Sequence, residues 1–343
     1  MKKPKKEVTI YDIAEKLGLA TSTISRALKD HHSIGKKTTE KVKRTAEEMG
    51  FRPNIMAASL RNKKTRTIGV LIPRINRPFM ASLVSGIEGA LQKQGYNVII
   101  IQSNDSYENE VEMMKVLYNN RVSGVICSVA METKKSDHFQ QFIENGVPII
   151  FVDRTPKDIA CTHITIDNYA AGYQATEHLI EQGCKRIVHF SGSKFRMVYS
   201  ERERGYIDAL KDHGLKVDTD LIIPFKTLSY EEAETITSDL LDSKNPPDGI
   251  FASNDTTAVA AIQVAKKKNV KIPQDLAVIG FNNDPISKIV DPALSTIDHP
   301  AFKMGETAAE KILNQLQTKV KSDLKEFTVL NTELIIRESS KRK

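Results

Sequence analysis

From Thr67 onward, short apolar runs rich in β-branched residues alternate with helical patterns, and this alternation constrains the fold of the 343-residue chain more than any other feature. Residues 68–72, 98–101, 125–129 and 147–152 are nearly continuous apolar strands, suited to a parallel sheet covered on both faces. Amphipathic helices are predicted between them over 79–94, 108–119 and 137–145. The first turns Leu83, Ile87, Ala90 and Leu91 inward, and the three end near Gly95, Asn120 and Gly146. A second set of strands follows at 186–190, 221–223, 249–252 and 276–280, again with helices between. Two successive β-α-β sets predict two doubly wound lobes, with ligands bound beyond the carboxyl ends of the strands, in the cleft between them.

The segment ahead of this alternation is different in kind. Residues 1–66 hold 17 Lys and Arg against 7 Asp and Glu; the whole chain is +7, so the rest carries −3. A basic head on a near-neutral body suits a polyanion, because its cations neutralise phosphates and release counterions. Lys2, Lys3, Lys5 and Lys6 read as a solvated tail. Arg26, Lys36, Lys37, Lys41, Lys43 and Arg44 instead recur on helices. Ile10, Ile13, Ala14 and Leu17 form the stripe of one amphipathic helix, started by a Thr9–Asp12 capping box and stopped by Gly18. A second helix begins at Thr21; Ile24, Ala27 and Leu28 face inward, leaving Thr21, Ser22, Ser25 and Arg26 outside. Two short helices joined by a Gly-containing turn, the second presenting hydroxyls and an Arg, form a helix-turn-helix pattern.

The remaining composition narrows the function classes. At 40% hydrophobic residues the chain can bury sizeable cores, yet apolar runs such as 98–101 fall far short of a bilayer span of about 20 residues. Glu7 and Asp12 lie where a signal peptide would need its apolar core. Cys127, Cys161 and Cys184 are odd in number and lack a Cys-x-x-Cys spacing, so buried reduced thiols and a cytoplasmic location are expected. Nucleophile elbow, zinc-peptidase helix, Walker loop and dinucleotide fingerprint are all missing. His31 and His32 read as a solvated loop, and Asp153 lacks a partnered base. The chain is therefore expected not to be an enzyme and to use no metal or cofactor.

Val8-Thr9-Ile10-Tyr11-Asp12-Ile13-Ala14, Thr23-Ile24-Ser25-Arg26, Gly50-Phe51-Arg52-Pro53-Asn54, Ala57 with Leu60, and Thr67-Ile68-Gly69-Val70 together resemble the lactose/galactose repressor (LacI/GalR) family. The similarity runs on through Arg121-Val122-Ser123-Gly124-Val125-Ile126, Phe151-Val152-Asp153, Ala252-Ser253-Asn254-Asp255 and Val278-Ile279-Gly280-Phe281. It implies an all-α helix-turn-helix head on a two-lobed core of the type I periplasmic-binding-protein kind, acting as a ligand-responsive regulator, in all expectation a repressor of carbohydrate-related genes. It further implies a homodimer on a near-palindromic double-stranded operator. Thr21, Ser22 and Arg26 match the family's base-reading positions, Arg being shaped for guanine O6 and N7. Thr9, Thr23 and Ser25 match positions that hold phosphates and fix register. Ala20 departs from the family's usual Ser, which removes a capping hydroxyl unless Thr21 substitutes.

The same resemblance makes 54–60 a hinge helix that pairs with its dimer mate at the operator centre. Pro53 ends the preceding helix and Asn54 is a good N-cap. Fewer than two turns follow, too short to be stable alone in water. Ala57 belongs to this DNA-contacting set, and Leu60 matches the apolar wedge that opens a minor-groove base step. Ala58 stands where Arg or Gln is common. In the cleft, Phe79, Asp153, Arg202, Asn254 and Asn282 match effector-binding positions, Arg202 being followed three residues on by Gly205. Asn282 replaces the usual Asp, which favours an anionic effector such as a sugar acid or sugar phosphate. The expected boundaries are a head over 1–53, hinge and linker over 54–66, a first lobe from 67–163 with 297–325, and a second from 164–296 with 326–343. No apolar heptads follow Ile336, so dimers and not tetramers are expected. A periplasmic-type sugar carrier and a carbohydrate enzyme are the competing readings; the basic head opposes the first and the missing catalytic residues the second. A protein corepressor in place of a small effector stays open.

Overall fold

The structure is a computed structural model that describes residues 8–51, 65–156, 158–192, 197–318 and 326–342. The chain divides into two compact units, one ending at Thr65 and the other starting at Arg66.

The first unit holds α1 (Ile10–Leu17), α2 (Thr21–Ala27) and α3 (Lys36–Glu48). Both halves of the capping box form. Asp12 N–H donates to Thr9 Oγ1 at 3.4 Å, and Thr9 N–H donates to Asp12 Oδ2 at 2.6 Å. Gly18 ends α1 with φ +64°, the left-handed conformation that a side chain would strain. Ile13, Ala14, Ile24, Ala27, Val42 and Ala46 make a small core, with Ile10, Leu17, Leu28 and Phe51 packed around it. Ala20 caps α2 without any side-chain bond.

The second unit contains two six-stranded sheets. The first is built from β1 (Thr67–Ile72), β2 (Asn97–Gln102), β3 (Gly124–Cys127), β4 (Ile149–Val152) and β5 (Thr162–Ile166), interleaved with α4 (Pro78–Gln92), α5 (Tyr107–Asn119) and α6 (Asp137–Glu144). The second comprises β6 (Ile187–Ser191), β7 (Ile222–Pro224), β8 (Gly249–Ala252), β9 (Ala277–Asn282) and β10 (Ser295–Asp298). Its helices are α7 (Asn168–Glu181), α8 (Met197–Asp212), α9 (Tyr230–Leu241), α10 (Asp255–Lys267) and the short α11 (Ile286–Ile289). The chain then returns through α12 (Ala301–Thr318), which packs on α4, to β11 (Glu326–Leu330) and finally β12 (Glu333–Ile335).

Strand order is β11-β5-β4-β3-β1-β2 in the first sheet and β12-β10-β9-β8-β6-β7 in the second. All pairings are parallel except β12 against β10. The lobe boundaries differ from those expected. Residues 164–166 complete β5 in the first sheet, 297–298 complete β10 in the second, and β11 joins the first sheet beside β5, not the second. Register decides here: each crossing falls at the end of a strand, where ladder hydrogen bonding stops. β2 also departs from expectation. It is an edge strand, and Ile100 is 40% exposed. Cys127, Cys161 and Cys184 are buried and unbridged. Among the described residues, no helix is long and apolar enough to cross a membrane.

Each lobe contains one helix crossing that only glycine permits. In the first lobe, a Cβ on Gly86 of α4 would lie 2.2 Å from Phe302 O of α12, and one on Gly305 would lie 2.2 Å from Leu83 O. In the second, a Cβ on Gly172 of α7 would lie 2.4 Å from Arg202 O, and one on Gly205 of α8 would lie 2.2 Å from Tyr169 O. The second crossing places Arg202 at the carboxyl end of its sheet.

Candidate functional site

The head presents a single outward face of α2. Ser22 and Arg26 are exposed, while Thr21, Thr23 and Ser25 are half-buried against the three-helix core. Among the described residues no side chain pairs with the Arg26 guanidinium. Thr9 is exposed, and its hydroxyl is engaged with Asp12 Oδ2 at 2.6 Å. Exposed Lys36, Lys37 and Lys41 extend the basic surface along α3, whereas Lys43 pairs with Asp30 at 2.6 Å. His31 and His32 occupy an exposed turn with ring centroids 4.3 Å apart, so they share one side of the chain; His31 Nδ1 is bonded to Ser33. Among the described residues no cluster of metal-ligating side chains forms. Asn54, Ala57 and Leu60 lie outside the described residues.

A cleft opens in the body where the carboxyl ends of both sheets meet. Phe79, Asp153, Arg202, Asn254 and Asn282 all line it. Parallel strands make this convergence possible, because loops leaving β1, β2 and β4 in one lobe and β8 and β9 in the other open on the same side. Asp153 ends β4 with φ +57° and Asn282 ends β9 with φ +111°, unusual backbone for residues with side chains. Local strain therefore gathers at the residues that point into the cleft.

Electrostatics differ on the two walls. On the first, Asp105 accepts from Arg154 Nη1 at 2.6 Å and from Arg74 Nε at 3.0 Å. Burial alone would raise its carboxyl, but the two guanidiniums outweigh burial and hold it below the usual carboxylate range. Burial pushes the neighbouring Asp153 above that range, with Arg154 and Arg202 opposing. On the second wall, Arg202 is 3% exposed and donates to two neutral oxygens, Asn168 Oδ1 at 2.8 Å and Ser253 O at 3.2 Å. Its guanidinium carbon lies 3.5 Å from the centroid of the Phe281 ring. Burial lowers its pKa to about 10, so it stays cationic at neutral pH without a carboxylate bonded to it.

Asn254 has a structural assignment of its own: its Oδ1 caps α10 by accepting from Thr257 N–H at 2.8 Å, and its Nδ2 donates to Leu228 O at 3.0 Å. Asn282 does not simply remove an acid from the cleft, because Asp284 lines the same space two residues on, with its carboxyl pushed up to about 6 by burial. Sequence reasoning passed over Asp105, Arg154, Tyr199, Ser253, Asp284 and His299, which complete the walls. Each follows a strand or faces one from a helix. Position after a predicted strand was the available signal for Asp105, Arg154, Ser253 and Asp284; only β10, Ser-Thr-Ile-Asp, which precedes His299, is too polar to predict.

Known proteins match along the length of the chain. A family described as periplasmic binding proteins and sugar binding domain of LacI family matches residues 65–333, and one described as bacterial regulatory proteins, lacI family, matches residues 9–54. The NTD biosynthesis operon regulator NtdR of Bacillus subtilis (strain 168) is 31% identical over 332 residues, covering 97% of this chain and 99% of the relative. Among solved structures, a transcriptional regulator CelR–cellobiose complex aligns with TM-score 0.72 at 26% identity, covering 97% of this chain and 100% of that one. A lac repressor dimer bound to operator and the anti-inducer ONPF aligns with TM-score 0.86 over 98% of this chain and 99% of that one; at 22% identity it speaks for the fold alone.

Proposed function

We propose a function from one premise: this chain belongs to the LacI family of bacterial regulatory proteins, DNA-binding regulators with a sugar-binding type of body. Within that family we read it as a repressor of carbohydrate-related genes in the cytoplasm, whose operator affinity is set by a small ligand in the cleft. The observation that carries this reading is the joining, in one chain, of an outward Ser22 and Arg26 on α2, the latter without a side-chain partner among the described residues, to a cleft lined by Phe79, Asp153, Arg202, Asn254 and Asn282. Arg26 takes the guanine-reading role, with Thr21 and Ser22 beside it; Thr9, Thr23 and Ser25 hold phosphates. Asn54, Ala57 and Leu60 are assigned contacts to the operator centre. The ligand is a sugar, or a sugar acid or phosphate. Hydroxyl-bonding groups from both walls support a sugar, and Arg202, a cation held by neutral partners, supports an acidic substituent. A homodimer on a near-palindromic site is the assembly, and the exposed apolar Ile75, Ile100 and Val116 near the β2 edge favour a second copy there.

Selection of bound sequences from random duplex DNA, followed by fluorescence anisotropy on the winner, tests the reading. Arg26→Ala is expected to cost about 1–3 kcal/mol on the selected site and much less on random DNA. Equal losses on both would move Arg26 to a phosphate role, and failure to select any sequence would remove the regulator reading of the head.

A further inference from the structure

We infer that Arg337, in the segment after β12, is a positioning residue that holds Asn282 and Asp284 where they line the cleft, an inference that rests on the proposed sugar-binding role of the body. The loop that leaves β9 begins with two consecutive residues in backbone unusual for side chains, Asn282 at φ +111° and Asn283 at φ +55°. Backbone of this kind persists only where its surroundings over-determine it. Asn282 and Asp284 line the cleft, and Asn282 hydrogen-bonds the Asp284 carboxyl. Asn283, between them, is bonded into the protein instead.

Four bonds fix Asn283. Its N–H donates to Thr296 Oγ1 at 3.2 Å and its Nδ2 to Asp298 Oδ1 at 2.8 Å, both on β10. Its Oδ1 accepts from Arg337 Nη2 at 2.8 Å and from Ser287 Oγ at 3.3 Å. The same guanidinium donates through Nη1 to Ser287 Oγ at 3.1 Å and to Leu294 O. One side chain thus gathers the start of the β9–β10 connection, its short helix α11 and its end. A planar guanidinium serves three acceptors in fixed directions, which an ammonium on a flexible stem does not.

The main chain at 337 is held without that side chain. Arg337 N–H donates to Ser295 Oγ at 2.8 Å, and Ser295 Oγ donates to Arg337 O at 3.0 Å. Further along the same segment, Arg342 donates to Pro273 O at 2.6 Å and to Asp248 O at 2.7 Å. Pro273 and Asp248 precede β9 and β8, so Arg342 fastens the segment at the amino ends of the strands, opposite the cleft. The two arginines have separate tasks: Arg342 secures the segment, and Arg337 sets the cleft-wall loop. Without the Arg337 guanidinium, Asn282 and Asn283 relax toward ordinary backbone, and a ligand must restore the loop in order to bind. Apparent affinity then falls in proportion to the fraction of molecules that keep the competent shape.

The test uses the full chain and compares wild type, Arg337→Met, Asn283→Ala, their double variant and Arg342→Met. Cellobiose, D-ribose, D-gluconate and D-glucose 6-phosphate are the probes, measured by calorimetry, with thermal melting and amide hydrogen exchange on the probe-free proteins. For a probe that binds wild type, Arg337→Met and Asn283→Ala are each expected to lose roughly tenfold in affinity, the loss that follows when about one molecule in ten keeps the competent loop. The double variant is expected to lose no more than the weaker-binding single, because Arg337 acts through Asn283. Arg342→Met is expected to melt lower and to bind the probe as wild type does. The Asn283 and Asp284 amides are expected to exchange roughly tenfold faster in Arg337→Met and at the wild-type rate in Arg342→Met. Unchanged affinity in Arg337→Met, additive losses in the double variant, or an equal loss in Arg342→Met overturns the assignment while leaving the sugar-binding reading in place. Unchanged exchange in Arg337→Met overturns it whether or not a probe binds. Failure of all four probes to bind wild type overturns the polyhydroxy-ligand reading, and the ligand half of this inference falls with it.

Discussion

The two lobes share an architecture and differ in how they hold charge. Both are six-stranded sheets, and both depend on one glycine-permitted helix crossing, α4 on α12 and α7 on α8. In the first lobe, Asp105 draws Arg74 and Arg154 onto itself, so these charges satisfy one another within the lobe. In the second, Arg202 rests on an amide oxygen, a backbone carbonyl and an aromatic face, and Asp284 is buried with its carboxyl pushed up to about 6. The first wall pairs its guanidiniums with a carboxylate, although Arg154 also donates to Tyr199 OH across the cleft at 3.1 Å; the second holds its guanidinium without a carboxylate hydrogen-bonded to it. A binding cleft needs both: a rigid wall to position the ligand and a guanidinium not already bonded to a carboxylate to recognise it.

The largest effect expected is steric. Gly205→Ala places a methyl 2.2 Å from Tyr169 O, a backbone atom that cannot swing aside, and should cost about 3 kcal/mol or more. Gly86→Ala is expected to match it through Phe302 O. Denaturant melts would break the symmetry of the two crossings if either variant were as stable as wild type.

Next comes Arg202→Ala, which removes the buried guanidinium that no carboxylate hydrogen-bonds. Charge-assisted hydrogen bonds of this kind contribute about 1.5–3 kcal/mol, so calorimetry should show ligand affinity falling roughly ten- to a hundredfold. Retained affinity would move recognition off the second wall.

The acids should then give pH dependences of opposite sign. Asp105 is depressed by Arg154 and Arg74 against burial, so its contribution is fully present above the unfolded value of about 3.9 and is lost as pH falls through the lower folded value. Asp105→Asn should cost about 1–2 kcal/mol at neutral pH, reduced from a fully buried pair because the carboxyl is 22% exposed, and should flatten the acid limb. Asp284 is raised by burial, so its contribution is present below about 3.9 and is lost as pH rises through about 6. Asp284→Asn should therefore raise the melting temperature slightly at pH 7–8 and change nothing near pH 4. The same slope in both variants would erase the contrast between the walls.

Much of the fold is legible in the residues themselves. The Thr9–Asp12 box and Gly18 are local signals whose partners lie within four residues, and β3, β4 and β8 are buried on both faces, so their composition announces them. β5 and β11 are not legible in this way, because Thr-His-Ile-Thr-Ile and Glu-Phe-Thr-Val-Leu mix polar and apolar residues and owe their structure to pairing with each other. The assignment of 326–330 to the wrong lobe has the same cause: register is a property of two segments and is invisible in either alone. The five effector positions came from resemblance, and the cleft gathers all five. Asp105, Arg154 and His299 stayed hidden because each acquires its meaning from a neighbour 49 or more positions away, Arg154 for Asp105, and Phe79 for His299.

The central claim is that the cleft controls the head, and thermodynamic coupling tests it most directly. A ligand can change operator affinity only through its differential affinity for two arrangements of the lobes. The measurement is operator affinity by fluorescence anisotropy, with and without a saturating sugar that binds the body, for wild type and Arg202→Ala side by side. The account predicts a change of about 5–150-fold in wild type, with Arg202→Ala binding operator like ligand-free wild type whether or not the sugar is present. A sugar that binds the body yet leaves wild-type operator affinity unchanged, or an Arg202→Ala protein that responds as wild type does, would contradict it.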